Sequence, residues 1–276
     1  MPIDFAWAGW PRSDAICSVK GDIGEYQMDE KIVILMGIVL LSFTSHALSG
    51  FGSIIIAITL GSNLYPIKTL LPILVPLDIL INAYLLARYR SSVDRTYLLR
   101  KVLPSMSAGF VAGIILFSLL KNSVLKGIFG VFVVVISARE LWLVARRGDT
   151  RPISAVSRAA YLILGGFIQG VFASGGPPVV YAVSRSIRDK TVFRSTLAAI
   201  WFTINSVLIV AYAVTGRLTV ETISYSAMLL PVVLVGIVVG EMLHRWINER
   251  HFKIAIYCLL IVAGLSILAR LIWTSP

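Results

Sequence analysis

Charge is scarce in this chain, histidine scarcer, and cysteine scarcest. Only 14% of the 276 residues are Asp, Glu, Lys or Arg, against roughly 25% in a soluble globular domain, which excludes an ordinary water-soluble fold. The three histidines, His46, His244 and His251, are scattered and carry no metal-ligand spacing. Cys17 near the N-terminus and Cys258 inside the last apolar run exclude a disulfide framework. Neither G-x-S-x-G nor H-E-x-x-H occurs, so the hydrolase and zinc-protease signatures are missing. The sequence calls for no cofactor and no metal, and it does not read as an enzyme.

What is present is apolar. The chain is 57% hydrophobic with mean hydropathy +0.86. Apolar segments at about 32–61, 66–87, 102–120, 125–145, 159–184, 196–214, 222–243 and 253–273 predict an all-α polytopic membrane protein with no soluble domain. The net charge of +11 belongs to short loops between apolar runs, where the positive-inside bias places Lys and Arg. It therefore does not indicate nucleic acid.

Four parts follow: an extracytoplasmic stretch 1–30, a first membrane repeat 31–145, a cytoplasmic linker 146–158 and a second repeat 159–273. Residues 1–30 hold Asp4, Asp14, Asp22, Glu25, Asp29 and Glu30, and lack a basic region followed by an apolar core, so no cleaved signal peptide is expected. Trp7 and Trp10 suit a membrane interface, and a floppy tail explains the stretch equally well. The repeat rests on spacing. Pro104, Gly109 and Gly113 recur as Pro231, Gly236 and Gly240, and Leu125-Lys126 recurs as Phe252-Lys253. Two clusters fall at a slightly shifted offset: Ser49, Gly50, Phe51, Gly52, Ser53 in the first half, and Ser174, Gly175, Gly176, Pro177, Pro178 in the second.

Arg88, Arg90, Arg95, Arg100 and Lys101 place loop 88–101 in the cytoplasm, and Arg139, Arg146, Arg147, Arg151 and Arg158 do the same for 139–158. If 159–184 simply crossed, Arg185, Arg188, Lys190 and Arg194 would lie outside and the bias would invert for the second half. A re-entrant hairpin bending at Ser174–Pro178 removes the conflict, and 32–61 reads as its counterpart entered from outside, which leaves both termini extracytoplasmic. Each arm would have about 13–15 residues, or about 20 Å of helix. The expected fold is thus two inverted repeats, each a broken hairpin plus three transmembrane helices, an arrangement used by transporters. Eight plain spans with a weak bias are the other reading.

A half-helix that starts inside the membrane turns free N–H groups and a positive dipole end toward the break, which makes an anion site. Ser49, Gly50, Gly52, Ser53, Ser174, Gly175, Gly176 and Pro177 are therefore expected around a small anionic substrate. Pro177 and Pro178 suit the first turn of the second arm. Close packing of small residues is the plainer explanation for one such cluster, though less so for two matched ones. Buried ionisable groups are functional candidates. His46 and Asp78 are expected proton-coupling residues, although a lone His on such a face is more often a packed one. Asn82, Gln169 and Thr203 are expected along the pathway, with Asn205 at the substrate. Arg194 opens an apolar run, where it suits either an oxyanion or the positive-inside pattern. Glu241 and His244 are placed to snorkel at a helix end, and Glu140 beside Arg139 reads as an interface pair.

At these residues the chain resembles the TauE/SafE sulfite-exporter family, also called the 4-toluene-sulfonate-uptake permeases. The resemblance rests on Ser174–Pro178, Phe193-Arg194-Ser195-Thr196-Leu197-Ala198, Asn205, Gly216-Arg217-Leu218-Thr219, Pro231 with Gly236 and Gly240, and 252–264. The first half departs from it, since the family has a richer Gly run where this chain has Ser49–Ser53. The resemblance implies a cell-membrane transporter of sulfite, sulfonates or sulfoacetate-like anions. Export by alternating access is the expected mode, with proton or sodium as coupling ion if transport runs inward. An anion channel, a proton-coupled uptake permease and an anion-binding scaffold or sensor are the alternatives. The abundant small-residue faces make a homodimer an expected assembly.

Overall fold

A computed structural model describes residues 30–145, 153–187, 189–243 and 249–274. The N-terminal stretch with Trp7, Trp10 and Cys17, most of the linker, and His244 lie outside the described residues. The remainder is helical: α1 (Glu30–Ser49), α2 (Ser53–Gly61), α3 (Ile67–Tyr89), the single turn α4 (Arg95–Tyr97), α5 (Leu103–Leu119), α6 (Asn122–Ala145), α7 (Ala155–Phe172), α8 (Gly176–Ser184), α9 (Lys190–Val214), α10 (Val220–Leu243) and α11 (Glu249–Thr274). Eight of the helical segments are long and apolar enough to cross a membrane, as backbone self-satisfaction in lipid requires. The protein is an all-α polytopic membrane protein.

Packing crosses between the halves. Helix α1 lies on α10, α7 on α5, α3 on α9 and α6 on α11. The first two contacts are close because glycine permits it. A Cβ on Gly109 would stand 2.0 Å from the Ile163 carbonyl oxygen, and one on Gly166 2.1 Å from that of Met106. On the other side, a Cβ on Gly240 would meet the Thr44 carbonyl oxygen at 2.7 Å. The recurring Pro-Gly-Gly spacing thus marks the same job twice: α5 and α10 each receive the long arm of the other half's broken helix.

Hydrogen bonds define two ends of the bundle. At one, Ser195 Oγ donates to the Ser92 carbonyl at 2.9 Å and the Asp94 amide donates to Thr196 Oγ1 at 3.1 Å. At the other, the Ile67 amide donates to Asn122 Oδ1 at 3.0 Å. There Phe117 lies under two cations, Lys68 and Arg217. Burial pushes the Arg217 pKa down, while neighbouring Tyr212 acts in the opposite direction.

Both Gly clusters break a helix and reverse the chain. Arg158, in the first turn of α7, reaches Ser186 just after α8 at 3.5 Å, and the Tyr161 and Tyr181 rings lie 4.7 Å apart. Helices α7 and α8 therefore enter and leave by one end. Gly61, closing α2, abuts Leu35 near the start of α1 and Leu70 at the start of α3, so the first hairpin opens at the other end. The expected equal arms are corrected. They have 20 and 9 residues in the first hairpin and 18 and 9 in the second. At 1.5 Å per residue the long arms reach about 30 Å and the short ones about half that.

Candidate functional site

The bends are built differently. Gly50 and Gly52 take φ of +82° and +100°, the left-handed region that costs a side-chain-bearing residue about 1–2 kcal/mol. Pro177 and Pro178 instead start α8, with φ already helical. The first helical bond of α2 runs from the Ile56 amide to the Gly52 carbonyl, which leaves the amides of Ser53, Ile54 and Ile55 outside the helix ladder. At the second break the Gly175 amide is given to Gln169 Oε1 at 2.7 Å, and the two prolines have no N–H. Backbone donors at the two tips are therefore unequal, richer on α2 than on α8.

Between the tips runs one buried hydrogen-bonded chain. His46 Nδ1 lies 2.7 Å from Ser53 Oγ and 3.3 Å from Asp78 Oδ1. Ser53 Oγ donates to Asp78 Oδ1. Asp78 Oδ2 accepts from Asn82 Nδ2 and Asn205 Nδ2, each at 2.8 Å. Asn205 Oδ1 accepts from Gln169 Nε2 at 2.6 Å, and Gln169 holds the Gly175 amide. Six side chains from α1, α2, α3, α7 and α9 thus tie one helix break to the other.

A cavity of about 60 Å³ opens beside this chain, room for a few waters or one oxyanion head group at about 10–15 Å³ per water. His46, Gly52, Ser53, Asp78, Gln169, Ser174, Gly176, Pro177 and Asn205 line it, which brings most of the expected residues together. Gly50, beside Arg194, and Gly175, against the Gly165 carbonyl, are not part of the lining, and Ser49 closes α1. Asn82 reaches the site through Asp78. Thr203 does not reach it; its hydroxyl bonds back to the Ala199 carbonyl at 2.8 Å.

Arg194 has a different partner from an anion. Its Nη2 donates to the Ala47 carbonyl at 2.6 Å, in the last turn of α1. There a cation offsets the negative dipole end and satisfies an orphan carbonyl. Its Cγ lies 3.3 Å from where a Gly50 Cβ would be, so Arg194 braces the first bend from outside the cavity.

Among the lining residues that the sequence did not point to, two carry polar atoms without a partner. Trp201 Nε1 and Ser137 Oγ are buried at the cavity without a protein partner, as is His46 Nε2. A buried polar atom left without a partner costs about 1–3 kcal/mol, so three around one cavity mark a place for a ligand or water. Nothing in the apolar runs holding Trp201 and Ser137 tells which side faces inward. Glu140 lines the cavity too, bonded by Arg139 as an adjacent pair. No cluster of three His, Cys, Asp or Glu suited to a metal occurs among the described residues.

The family model for sulfite exporter TauE/SafE matches residues 34–267. The chain belongs to this family. It is similar to the probable inner membrane transporter protein TsaS of Comamonas testosteroni, with 25% identity over 173 residues covering 62% of this chain and 71% of that protein. No solved structure matches the chain. A TauE/SafE member with eight candidate spans is a multi-pass membrane transporter.

Proposed function

We propose that this TauE/SafE protein is a secondary carrier for a small sulfur-containing oxyanion, such as sulfite or a short sulfonate. The anion is held in the cavity between the two helix breaks. The observation that carries this reading is the set of unpartnered buried atoms, Trp201 Nε1, Ser137 Oγ and His46 Nε2, beside the free amides that open α2. An oxyanion has only acceptors to offer, and indole N–H, hydroxyl and amide groups are what it needs.

The opposed hairpins support alternating access as the mode of transport. The two halves act as inverted repeats, with the α1–α2 hairpin opening to one end and the α7–α8 hairpin to the other. Rocking one pair of arms against the other exposes a fixed midplane site to each side in turn. The end bearing Arg88, Arg90, Arg95 and Arg158 is cytoplasmic, which leaves the C-terminus outside. Asp78 and His46 carry coupling protons, and Gly52, Ser53, Ser174, Gly176 and Asn205 shape the anion site.

Proteoliposomes of the full chain, loaded with labelled sulfite or methanesulfonate, test this. Saturable flux with counterflow exchange is expected. Unitary currents in a planar bilayer would make it a channel, and no flux of either anion would remove the substrate class.

A further inference from the structure

The hydrogen-bond directions around His46 decide when this cavity can hold an anion. Ser53 has one hydroxyl proton, and it goes to Asp78 Oδ1. His46 Nδ1 therefore faces two acceptors, Ser53 Oγ at 2.7 Å and Asp78 Oδ1 at 3.3 Å, and must carry a proton itself. In a neutral imidazole only one nitrogen does. Nε2, the nitrogen without a protein partner at the cavity, is then a bare lone pair that repels an oxyanion.

One added proton reverses this by either of two routes. It can sit on Nε2, giving an imidazolium against the carboxylate. Alternatively it can sit on Asp78 Oδ1, whereupon the Ser53 hydroxyl turns to donate to Nδ1 and the imidazole proton moves to Nε2. Both routes make Nε2 a donor, and both take the His46–Ser53–Asp78 relay from one net negative charge to none. The location of the proton differs, but the count does not.

The surroundings offer no substitute. From α6, Glu140 is paired with Arg139. From α9, Arg194 lies outside the cavity lining, with Nη2 on the Ala47 carbonyl and Nε unpartnered, and Asn205 is neutral. From α7 comes neutral Gln169, from α11 Tyr257, and on α10 Glu241 accepts from Tyr84 at 3.4 Å. Asp78 is thus the one carboxylate in contact with His46 among the described residues.

Resting on the oxyanion reading of the cavity, we infer that the relay is a proton-binding site loaded together with the anion, one proton for each anion bound. Asn82 and Asn205 hold Asp78 Oδ2 through either state. Trp201 Nε1 and Ser137 Oγ serve the anion's remaining oxygens without titrating. A monoanion then crosses as a neutral pair. The pH gradient and the anion gradient drive it, and the membrane potential does not.

Methanesulfonate is the probe, because it stays a monoanion at every working pH and any proton taken up belongs to the protein. In unbuffered detergent solution, its binding by the full chain, followed by tryptophan fluorescence, should take up one proton per anion. Affinity should fall as pH rises, by up to about tenfold per pH unit for one proton taken up with each anion. In proteoliposomes a pH gradient at clamped zero potential should drive accumulation, and an imposed potential alone should not. His46→Gln supplies an amide N–H that needs no added proton; its methanesulfonate affinity should be weaker than that of the wild type at low pH but flat in pH, with no proton taken up. Binding or flux in the wild type that moves one negative charge and ignores pH would overturn the proton site while leaving the carrier reading intact. Absence of any fluorescence change or flux with methanesulfonate and sulfite alike would overturn the oxyanion reading itself, and the proton site with it.

Discussion

Asn205 Nδ2 donates to Asp78 Oδ2 at 2.8 Å across 127 residues of sequence. The same separation relates Pro104 to Pro231 and Gly109 to Gly236. On the repeat read from the sequence, Asp78 and Asn205 stand at matching positions, and they meet beside the cavity. One can ionise and the other cannot, so of these two only Asp78 can take up a proton.

That bond can be tested from both sides. Asn205→Leu strips a donor from Asp78 and an acceptor from Gln169, each worth about 1–3 kcal/mol when buried, and should lower the melting temperature and abolish flux. Asn205→Asp sets a second carboxylate against the first, and such a pair tends to hold one proton between them. The pH profile of methanesulfonate flux should change shape while the protein stays folded.

Trp201→Phe removes the indole N–H and keeps a large aromatic ring. A hydrogen bond to a charged group is worth about 1.5–3 kcal/mol, so apparent affinity should fall at least tenfold with little change in melting temperature. Titrating flux against anion concentration measures it.

Arg194→Ala removes the brace on α1 and should cost about 1–3 kcal/mol of stability, with flux falling as the first bend loosens. Arg194→Lys keeps the charge and should recover part of both. A raised KM with unchanged melting in the Ala variant would instead place Arg194 at the anion.

Glycines at contacts and in open space should separate cleanly. Gly109→Ala drives a Cβ into backbone 2.0 Å away and should cost about 1–3 kcal/mol or more. Gly37→Ala, with nothing within 4 Å, should be neutral or stabilising by a few tenths of a kcal/mol. Thermal melts in one detergent compare them.

The opposed hairpins predict sided labelling. With Cys17 and Cys258 replaced by Ser, a cysteine at exposed Ser184 should react with a charged maleimide only from the cytoplasm. One at Thr69 should react only from outside. Reaction of both from the same side would remove the opposed arrangement.

Much of this was legible beforehand, and the limits have physical causes. Gly50, Gly52, Pro177 and Pro178 announced the breaks because few other residues tolerate those backbone positions in lipid. The basic residues Arg88, Arg90, Arg95 and Arg158 lie in loops and helix ends that the structure brings to one end of the bundle. The unequal arms could not be read, since an apolar run does not record how deep its break lies. Trp201 and Ser137 were hidden because one aromatic or hydroxyl in an apolar helix does not show its facing. Asp78 and Asn205 share the offset that relates Pro104 to Pro231, but an offset does not tell whether two positions touch, so their contact was not legible. Arg194 was expected at the oxyanion or among the positive-inside residues, and its partner at the first bend is a backbone carbonyl, which no sequence pattern advertises.

Crossed packing of the two halves sets an order on the ribosome. Asp78 enters the bilayer with Ser53 and Asn82 already made, but Asn205 lies 127 residues downstream. At about 5–20 residues per second of synthesis, its last donor arrives roughly 6–25 s later. For that interval α1 has no α10 to lie against, and a carboxylate waits half-satisfied in lipid. The nascent first half is thus a client for whatever shelters polar helices during insertion, and it reaches its final form only when the second half closes over it.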